Sequence, residues 1–174
     1  MPILSAISIR FISAAENRLG VRLDYVRRIA RLNTPLLLRY NRIFRILDPR
    51  KHLPADAYHT ARLRAAMAAD CGTCVEAEIN LALQSGLTKE FLRSIMKGQS
   101  NSAAISAIIA LTDAVIRDCT DDGTARQTIC DVYGEMALTE LALVITQASA
   151  LPSIKRTMGF ATTCNMDSFR ALNE

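Results

Sequence analysis

The chain has 174 residues, of which 50% are hydrophobic, and a formal net charge of +4. This length is sufficient for one domain with a substantial core, and the hydrophobic content excludes an intrinsically disordered chain. The low content of Gly and Pro, 7 and 5 residues, beside many Ala, Leu, Ile and Arg favours an all-α protein.

Positive charge is concentrated in the first third of the chain. The basic residues there are Arg10, Arg18, Arg22, Arg27, Arg28, Arg31, Arg39, Arg42, Arg45, Arg50 and Lys51. Such a cluster is compatible with an anionic partner. No aromatic-rich basic motif or nucleic-acid fold signature accompanies it, so we predict no nucleic-acid ligand and expect solvated helix faces and salt bridges between subunits.

The five cysteines are Cys71, Cys74, Cys119, Cys130 and Cys164. An odd number is atypical of a secreted disulfide scaffold. The N-terminus lacks the basic region of a signal peptide, and no uninterrupted apolar stretch reaches the ~18 residues of a membrane span. We therefore predict a cytoplasmic protein, and we expect the last three cysteines, which lie singly on apolar stretches, to be core residues.

The first predicted helix covers residues 3–18, with Ile3, Ile7, Phe11 and Ala14 on one face at helical spacing. We expect this face to pack against the body of the protein or a partner subunit. The alternative is a peripheral contact of residues 3–18 with a membrane surface.

Further helices follow in chain order, and no stretch has the alternation of a β-strand. They are predicted at about 24–32, 34–47, 55–69, 70–84, 88–96, 102–119, 124–133 and 134–151. The predicted caps are Asp24, Asp70 (alternatively Thr73 with Glu76), Thr88 and Thr124; Ser102 starts its helix, and Pro152 opens a last turn. The prediction is an all-α single domain of about eight helices. Residues 1–52 form an N-terminal helical extension and residues 53–174 the core.

The central motif is Cys71-Gly72-Thr73-Cys74, which is predicted at the start of a helix. Two cysteines at C-x-x-C spacing can close a disulfide, and a helix N-terminus favours a thiolate over a thiol. The motif therefore indicates thiol redox chemistry.

Two further residues are placed to move protons at this motif. Glu78 lies one helical turn after Cys74, and His59 lies twelve positions before Cys71 on the preceding helix. If the two helices form an antiparallel hairpin, His59 and Glu78 meet beside the thiols. An imidazole that titrates near neutrality is suited to a proton relay.

These residues resemble the AhpD-like, carboxymuconolactone decarboxylase superfamily over about residues 59–97. The redox branch of that superfamily has Glu, eleven residues, C-x-x-C, three residues and His. Here His59 and Glu78 occupy those positions in exchanged order. The run from Gly134 to Leu141 also resembles the C-terminal helix of the family.

The resemblance implies a thiol-dependent peroxidase or disulfide oxidoreductase. By carry-over, Cys74 is the peroxidatic thiolate, Cys71 the resolving thiol, and His59 and Glu78 the proton relay. It also implies a small peroxide or disulfide substrate and no bound cofactor, with an external dithiol reductant (a lipoyl group or a redox protein). The expected assembly is a homo-oligomer: a trimer, a hexamer or a dimer.

Other functions fit the sequence less well. A structural zinc site requires four Cys or His ligands, and the chain has one C-x-x-C and two histidines, so we predict no metal. Haem attachment requires His where Val75 stands, and thioredoxin requires strands. The remaining alternatives are a catalytically inactive helical oligomer that acts as a binding protein, two buried structural thiols, and a lactone decarboxylase.

Overall fold

The computed structural model describes residues 2–161, except the side chains of residues 2–8 and Arg45. Over this range the protein is an all-α single domain, as predicted, with nine α-helices, one π-helical turn and no strand. The helices are α1 (Pro2–Leu19), α2 (Asp24–Leu32), α3 (Thr34–Leu47), α4 (Ala55–Ala68), α5 (Gly72–Gln84), α6 (Lys89–Met96), α7 (Ala103–Asp113), α8 (Gly123–Tyr133) and α9 (Glu135–Thr157), and the π-helical turn is Ala114–Asp118.

Side-chain caps explain where several helices begin. The Thr88 hydroxyl accepts a hydrogen bond from the Phe91 amide at 3.1 Å, and Ser102 caps α7 in the same way. The predicted Thr88 cap is confirmed. The predicted Thr124 cap of α8 is wrong, because the Asp122 carboxylate accepts from the Ala125 amide at 2.9 Å and the helix begins two residues earlier.

The predicted Asp24 and Asp70 caps are also wrong. Asp24 is the first residue of α2, after Leu23, which makes no side-chain cap. Asp70 has a φ of +47°, in the left-handed region, and this reverses the chain between α4 and α5. The cap position of α5 therefore falls on Cys71, which places the first cysteine of the motif at the helix N-terminus itself.

Helix α9 continues through Pro152, which was predicted to open a separate last turn. A proline within a helix removes one backbone hydrogen bond but does not always end the helix. The continuation matters for the site, because it places Lys155 on the same continuous helix as the buried Gln147. By length and composition α9 is the one helix among those described that is able to cross a membrane, and here it packs against α3, α4 and α8.

Two hydrophobic clusters stabilise the fold. The larger cluster contains residues of every helix from α4 through α9. At its centre lie Leu63, Leu92, Ile108 and Leu141, all fully buried. The smaller joins α1, α2 and α3, and the end of α9 packs against it through Leu151 and Ile154. The C-terminal half of α9 thus joins residues 1–52 to the core, although the predicted division of the chain at residue 52 stays a prediction.

The apolar face predicted for α1 is shifted by about one residue. Ile12 is buried in the smaller cluster, whereas Phe11 is 73% exposed and Ala14 is also exposed. Ile3 and Ile7 lie among the residues whose side chains the structure does not describe.

A buried carboxylate fixes the connection between α3 and α4. Glu140 of α9 is 2% exposed and accepts hydrogen bonds from the backbone amides of Lys51, His52 and Leu53, at 2.9–3.3 Å. Three amide donors converging on one carboxylate satisfy its lone pairs without a cation. This contact orients α4, and therefore the turn that carries the cysteines.

Replacing Glu140 by Ala is expected to lower the free energy of unfolding by about 1–3 kcal/mol, because the amides of residues 51–53 lose their acceptor. Urea denaturation monitored by circular dichroism measures this change. Exposed Glu135 on the same helix gives the matched control Glu135→Ala, for which we expect a change within about 0.5 kcal/mol. Equal effects of the two substitutions would contradict the assigned role of Glu140.

Candidate active site at the Cys71–Cys74 pair

The cysteines lie at the closed end of an antiparallel helical hairpin formed by α4 and α5. Arg156 of α9 donates hydrogen bonds to the carbonyl oxygens of Ala69 and Asp70, at 2.6 and 3.3 Å, and so holds the turn. The two sulfur atoms are 2.7 Å apart, and both cysteines are free thiols. Cys71 is completely buried, whereas Cys74 is partly exposed. The proximity of two thiols, predicted from the motif, is confirmed.

Lys155 is the functional residue that the sequence analysis missed. Its Nζ lies 3.7 Å from both Cys71 Sγ and Cys74 Sγ, and the residue is 4% exposed. The ammonium also lies 5.5 Å from the centre of the Tyr25 ring, within cation–π range. Among the described residues no carboxylate pairs with it. A buried ammonium beside two sulfurs favours a negative charge on the pair.

The pair holds one proton and one negative charge near neutral pH. The hydrogen bond from Cys74 lowers the pKa of Cys71 to about 6, burial opposes this, and Lys155 adds to the lowering. The pKa of Cys74 is raised, because it donates to Cys71, is partly buried, and would become a second thiolate next to the first. The single proton lies between two atoms in hydrogen-bonding contact, so its transfer to Cys71 places the charge on Cys74.

A buried ion pair lies one helical turn from the cysteines. Glu78 is 6% exposed and accepts two hydrogen bonds from Arg62, at 2.6 and 2.8 Å. Arg62 also donates to the side-chain oxygen of Gln147 on α9. The cation that balances Glu78 is therefore Arg62, which the sequence analysis did not consider.

His59 lies near the opposite end of the hairpin. Its Nε2 is 2.8 Å from the Ser85 hydroxyl, and Ser85 is eleven residues after Cys74, which corresponds to ~16 Å along a helix. Burial lowers the pKa of His59 to about 4, so the ring is neutral at pH 7. The structure therefore gives His59 no hydrogen bond to Glu78 or the thiols, and the relay role of His59 and Glu78 stays a prediction.

A cavity of about 780 Å³ opens beside the cysteines, between α1–α3 on one side and α5 and α9 on the other. Cys74 lines it and Cys71 does not. Most of the other lining residues are apolar or aromatic; they include Ile12, Val26, Leu37, Phe44, Leu81 and Leu151, with Tyr25 and Tyr40. The volume lies within the range of about 300–1,000 Å³ that is typical of sites for small organic ligands. Only Cys74 is thus accessible to a molecule in the cavity.

The other cysteines give no second site. Cys119 was predicted to be a core residue, but it is exposed at the end of the π-helical turn with a φ of +52°. Cys130 is half-buried, and Cys164 lies outside the described residues. No group of three His, Cys, Asp or Glu residues is arranged to hold a metal in the part of the chain that the structure describes.

No protein-family model matches the sequence, and no curated protein matches it either. Two solved structures have the same fold. One is a cysteine-to-alanine variant of the debrominase Bmp8 in complex with 2,3,4-tribromopyrrole, with a TM-score of 0.77 and 17% identity over 92% of this chain and 88% of that chain. The other is Bmp8 without ligand, with a TM-score of 0.76 and 18% identity over 93% and 88%. The chain thus has the all-helical fold of Bmp8, and the resemblance to the AhpD-like superfamily stays a prediction.

Proposed function

We propose that this protein is a dithiol oxidoreductase that reduces a small organic hydroperoxide or disulfide at the cavity beside Cys74. The observation that supports this most strongly is the thiol pair, with its sulfurs 2.7 Å apart and the Lys155 ammonium 3.7 Å from both. A stabilised thiolate, a second thiol in contact with it, and an apolar cavity on the accessible side are the groups that the reaction requires.

The first step forms a sulfenic acid. The Cys74 thiolate attacks the terminal oxygen of the hydroperoxide, the O–O bond breaks, and the Cys74 sulfur retains the hydroxyl group. The departing alkoxide takes a proton from the Lys155 ammonium and leaves as an alcohol. Lys155 then regains a proton from solvent. Glu78, held by Arg62, is proposed to orient the first turns of α5 rather than to carry a free charge.

The second step forms the disulfide. The Cys71 sulfur attacks the sulfenic sulfur, and the hydroxyl group leaves with the Cys71 proton as water. In total one thiolate, one thiol, one proton and a hydroperoxide give a disulfide, an alcohol and water. An external dithiol, such as a lipoyl group or a redox protein, then reduces the disulfide by exchange. We also propose a cytoplasmic homo-oligomer, a trimer or hexamer or a dimer.

A second candidate function is reductive removal of a halogen, and the size and aromatic walls of the cavity favour it. Tyr40 stacks edge-on against both Tyr25 and Phe44, with ring centres 5.9 and 5.3 Å apart, which suits a flat aromatic ligand. In this reaction the Cys74 thiolate takes bromine from an aryl bromide, and the aryl carbon takes a proton from the Lys155 ammonium. The Cys71 sulfur then displaces bromide to give the disulfide, and the Cys71 proton returns to Lys155. The debrominase activity itself belongs to Bmp8.

The C-x-x-C pair is the basis of our first functional prediction. Oxidation of the reduced protein by cumene hydroperoxide is expected to form a Cys71–Cys74 disulfide, detected by intact mass after alkylation. Cys74→Ser is expected to abolish turnover, and Cys71→Ser to trap Cys74 as a sulfenic acid. Exposed Cys119→Ser is the control and should retain full activity.

Full activity of Cys74→Ser would remove this residue as the nucleophile. Slow alkylation of both thiols and no disulfide after hours would favour the inactive binding protein over the enzyme. Bromide release from a brominated pyrrole, without hydroperoxide reduction, would favour the second candidate.

Lys155→Met is expected to slow alkylation of the pair at pH 7. The pKa of Cys71, about 6 in the native protein, is lowered partly by Lys155, so its removal shifts the midpoint of the pH–rate profile upward by about one pH unit or more. The measurement is the rate of reaction with iodoacetamide between pH 5 and 9. Lys155→Arg should keep a low midpoint, and exposed Lys89→Met should behave like the native protein. An unchanged midpoint in Lys155→Met would contradict the role of Lys155.

Glu78→Gln and His59→Gln test the two relay residues separately. Because Glu78 is bound to Arg62 next to the cysteines, its replacement leaves the buried guanidinium without a charged partner and is expected to slow turnover by about 10²-fold, the scale of a small misplacement of the reacting groups. Because His59 is neutral and bonded to Ser85, its replacement should slow turnover less than about threefold unless it acts as a relay. A large loss in both variants would support the joint relay, and native rates in both would exclude it.

A further inference from the structure

One cation at the cavity has no counter-charge. The charged side chains that line the cavity are Arg18, Asp48, Arg50, Arg62, Glu78 and Lys155. Asp48 pairs with Arg50, Glu78 pairs with Arg62, and Lys155 faces the thiols. Arg18 alone among these described lining residues has neither a carboxylate nor a thiol partner, and it is solvent-exposed. The entrance of the cavity therefore carries an uncompensated positive charge.

The surrounding surface reinforces this charge. Residues 1–52 contain eleven Lys and Arg against three Asp and Glu, a net charge of +8, whereas residues 53–174 have a net charge of −4. Each of the three acidic residues in the first segment pairs with an arginine: Glu16 with Arg27, Asp24 with Arg22 and Asp48 with Arg50. The walls that α1–α3 give to the cavity thus lie in the positive half of the molecule, which attracts anions.

The backbone at Arg18 is held against α5 by two hydrogen bonds. Gln84 of α5 donates to the carbonyl oxygen of Arg18 at 2.6 Å, and Asn80 donates to that of Leu19 at 2.9 Å. The end of α1 is therefore attached to the C-terminal end of α5, whereas Cys74 lies in the first turn. Gln84 lies ten positions after Cys74, which corresponds to ~15 Å along the helix axis.

The wall between these two points is apolar. Ala77 and Leu81 line the cavity on α5, and Ile12, Ala15 and Leu37 line it from the opposite side. A ligand that spans from Arg18 to Cys74 consequently meets a cation at one end, hydrocarbon along its length and a thiolate at the other end. Burial of apolar surface along this path provides the binding free energy, and the cation selects the sign of the head group.

We propose that the cavity binds an anionic amphiphile, with its carboxylate head at Arg18 and its alkyl chain directed along α5 toward Cys74. The inference deepens the proposed function, because it defines the substrate class as long-chain carboxylates whose reactive group is remote from the head. It depends on the proposed function only for that reactive group, since binding of an unreactive carboxylate requires no turnover. The ligand enters as a dissolved monomer rather than from a lipid surface.

The test measures binding by calorimetry to the full chain with its thiols reduced. The probes are decanoate, 1-decanol and decyltrimethylammonium, all as monomers. Decanoate is expected to bind about fivefold more tightly than decanol, the contribution of one exposed charge pair, and the cation more weakly than either. Decanoate is also expected to slow iodoacetamide labelling of Cys74.

Two variants test where the carboxylate head and the alkyl chain of the ligand bind. Arg18→Gln should remove the preference for decanoate over decanol without weakening decanol binding, whereas Arg10→Gln, an exposed arginine of the same helix outside the cavity, should retain it. Ala77→Phe should weaken both ligands by about tenfold or more, because it fills the cavity.

Several results would overturn the proposal. They are equal affinities for decanoate and decanol in the native protein, equal effects of Arg18→Gln and Arg10→Gln, and unchanged binding in a folded Ala77→Phe variant. Binding to phosphatidylglycerol vesicles without binding of monomeric decanoate would also overturn it, in favour of a lipid surface. Absence of peroxide-driven disulfide formation together with Arg18-dependent decanoate binding would reject the proposed function and leave this inference intact.

Discussion

The buried guanidinium of Arg62 is the contact on which the site depends. It extends from α4 and binds Glu78 on α5 and Gln147 on α9, so that one side chain joins the three helices that build the site. Such a pair adds little net stability, but removal of one partner costs about 3–5 kcal/mol because the other is left charged and buried. From this point Cys74 lies one turn back along α5 and Lys155 two turns forward along α9. The fixed register of the two helices therefore determines the distance between sulfur and ammonium.

The positive charge beside the thiols comes from Lys155 and not from His59. A neutral, buried imidazole such as His59 contributes no positive charge at pH 7. The amino group of Lys155 lies beside two sulfurs and against the Tyr25 ring. The difference between the two sulfurs is then one of access: Cys71 faces the protein interior, and Cys74 faces the cavity. Charge is shared by the pair, but only one member can meet a substrate.

Local patterns predicted the all-α fold, the cap at Thr88 and the meeting of Cys71 with Cys74, because each depends on residues close in sequence. The start of α5 was missed by one residue, since the left-handed Asp70 is a turn conformation that no side-chain pattern requires. Lys155 was missed for a different reason: it lies 81 residues after Cys74, beyond a proline that predicted a helix end. The sequence predicted that His59 would meet Glu78, but Arg62 binds Glu78 and His59 contacts Ser85. Which of these groups meet in the interior depends on how the buried faces of α4 and α5 pack, and the residue pattern does not define that packing.

The position of Lys155 has a consequence for the equilibrium between the reduced and oxidised forms. The reduced protein gains an attractive interaction between the ammonium and the thiolate, and disulfide formation removes the anion while the lysine stays buried. The reduced form is thereby favoured, and the reduction potential of the pair is raised toward that of catalytic dithiols and away from that of structural disulfides. A Cys71–Cys74 disulfide in this protein would therefore be an electron acceptor that an ordinary dithiol can reduce, rather than a bond that stabilises the fold.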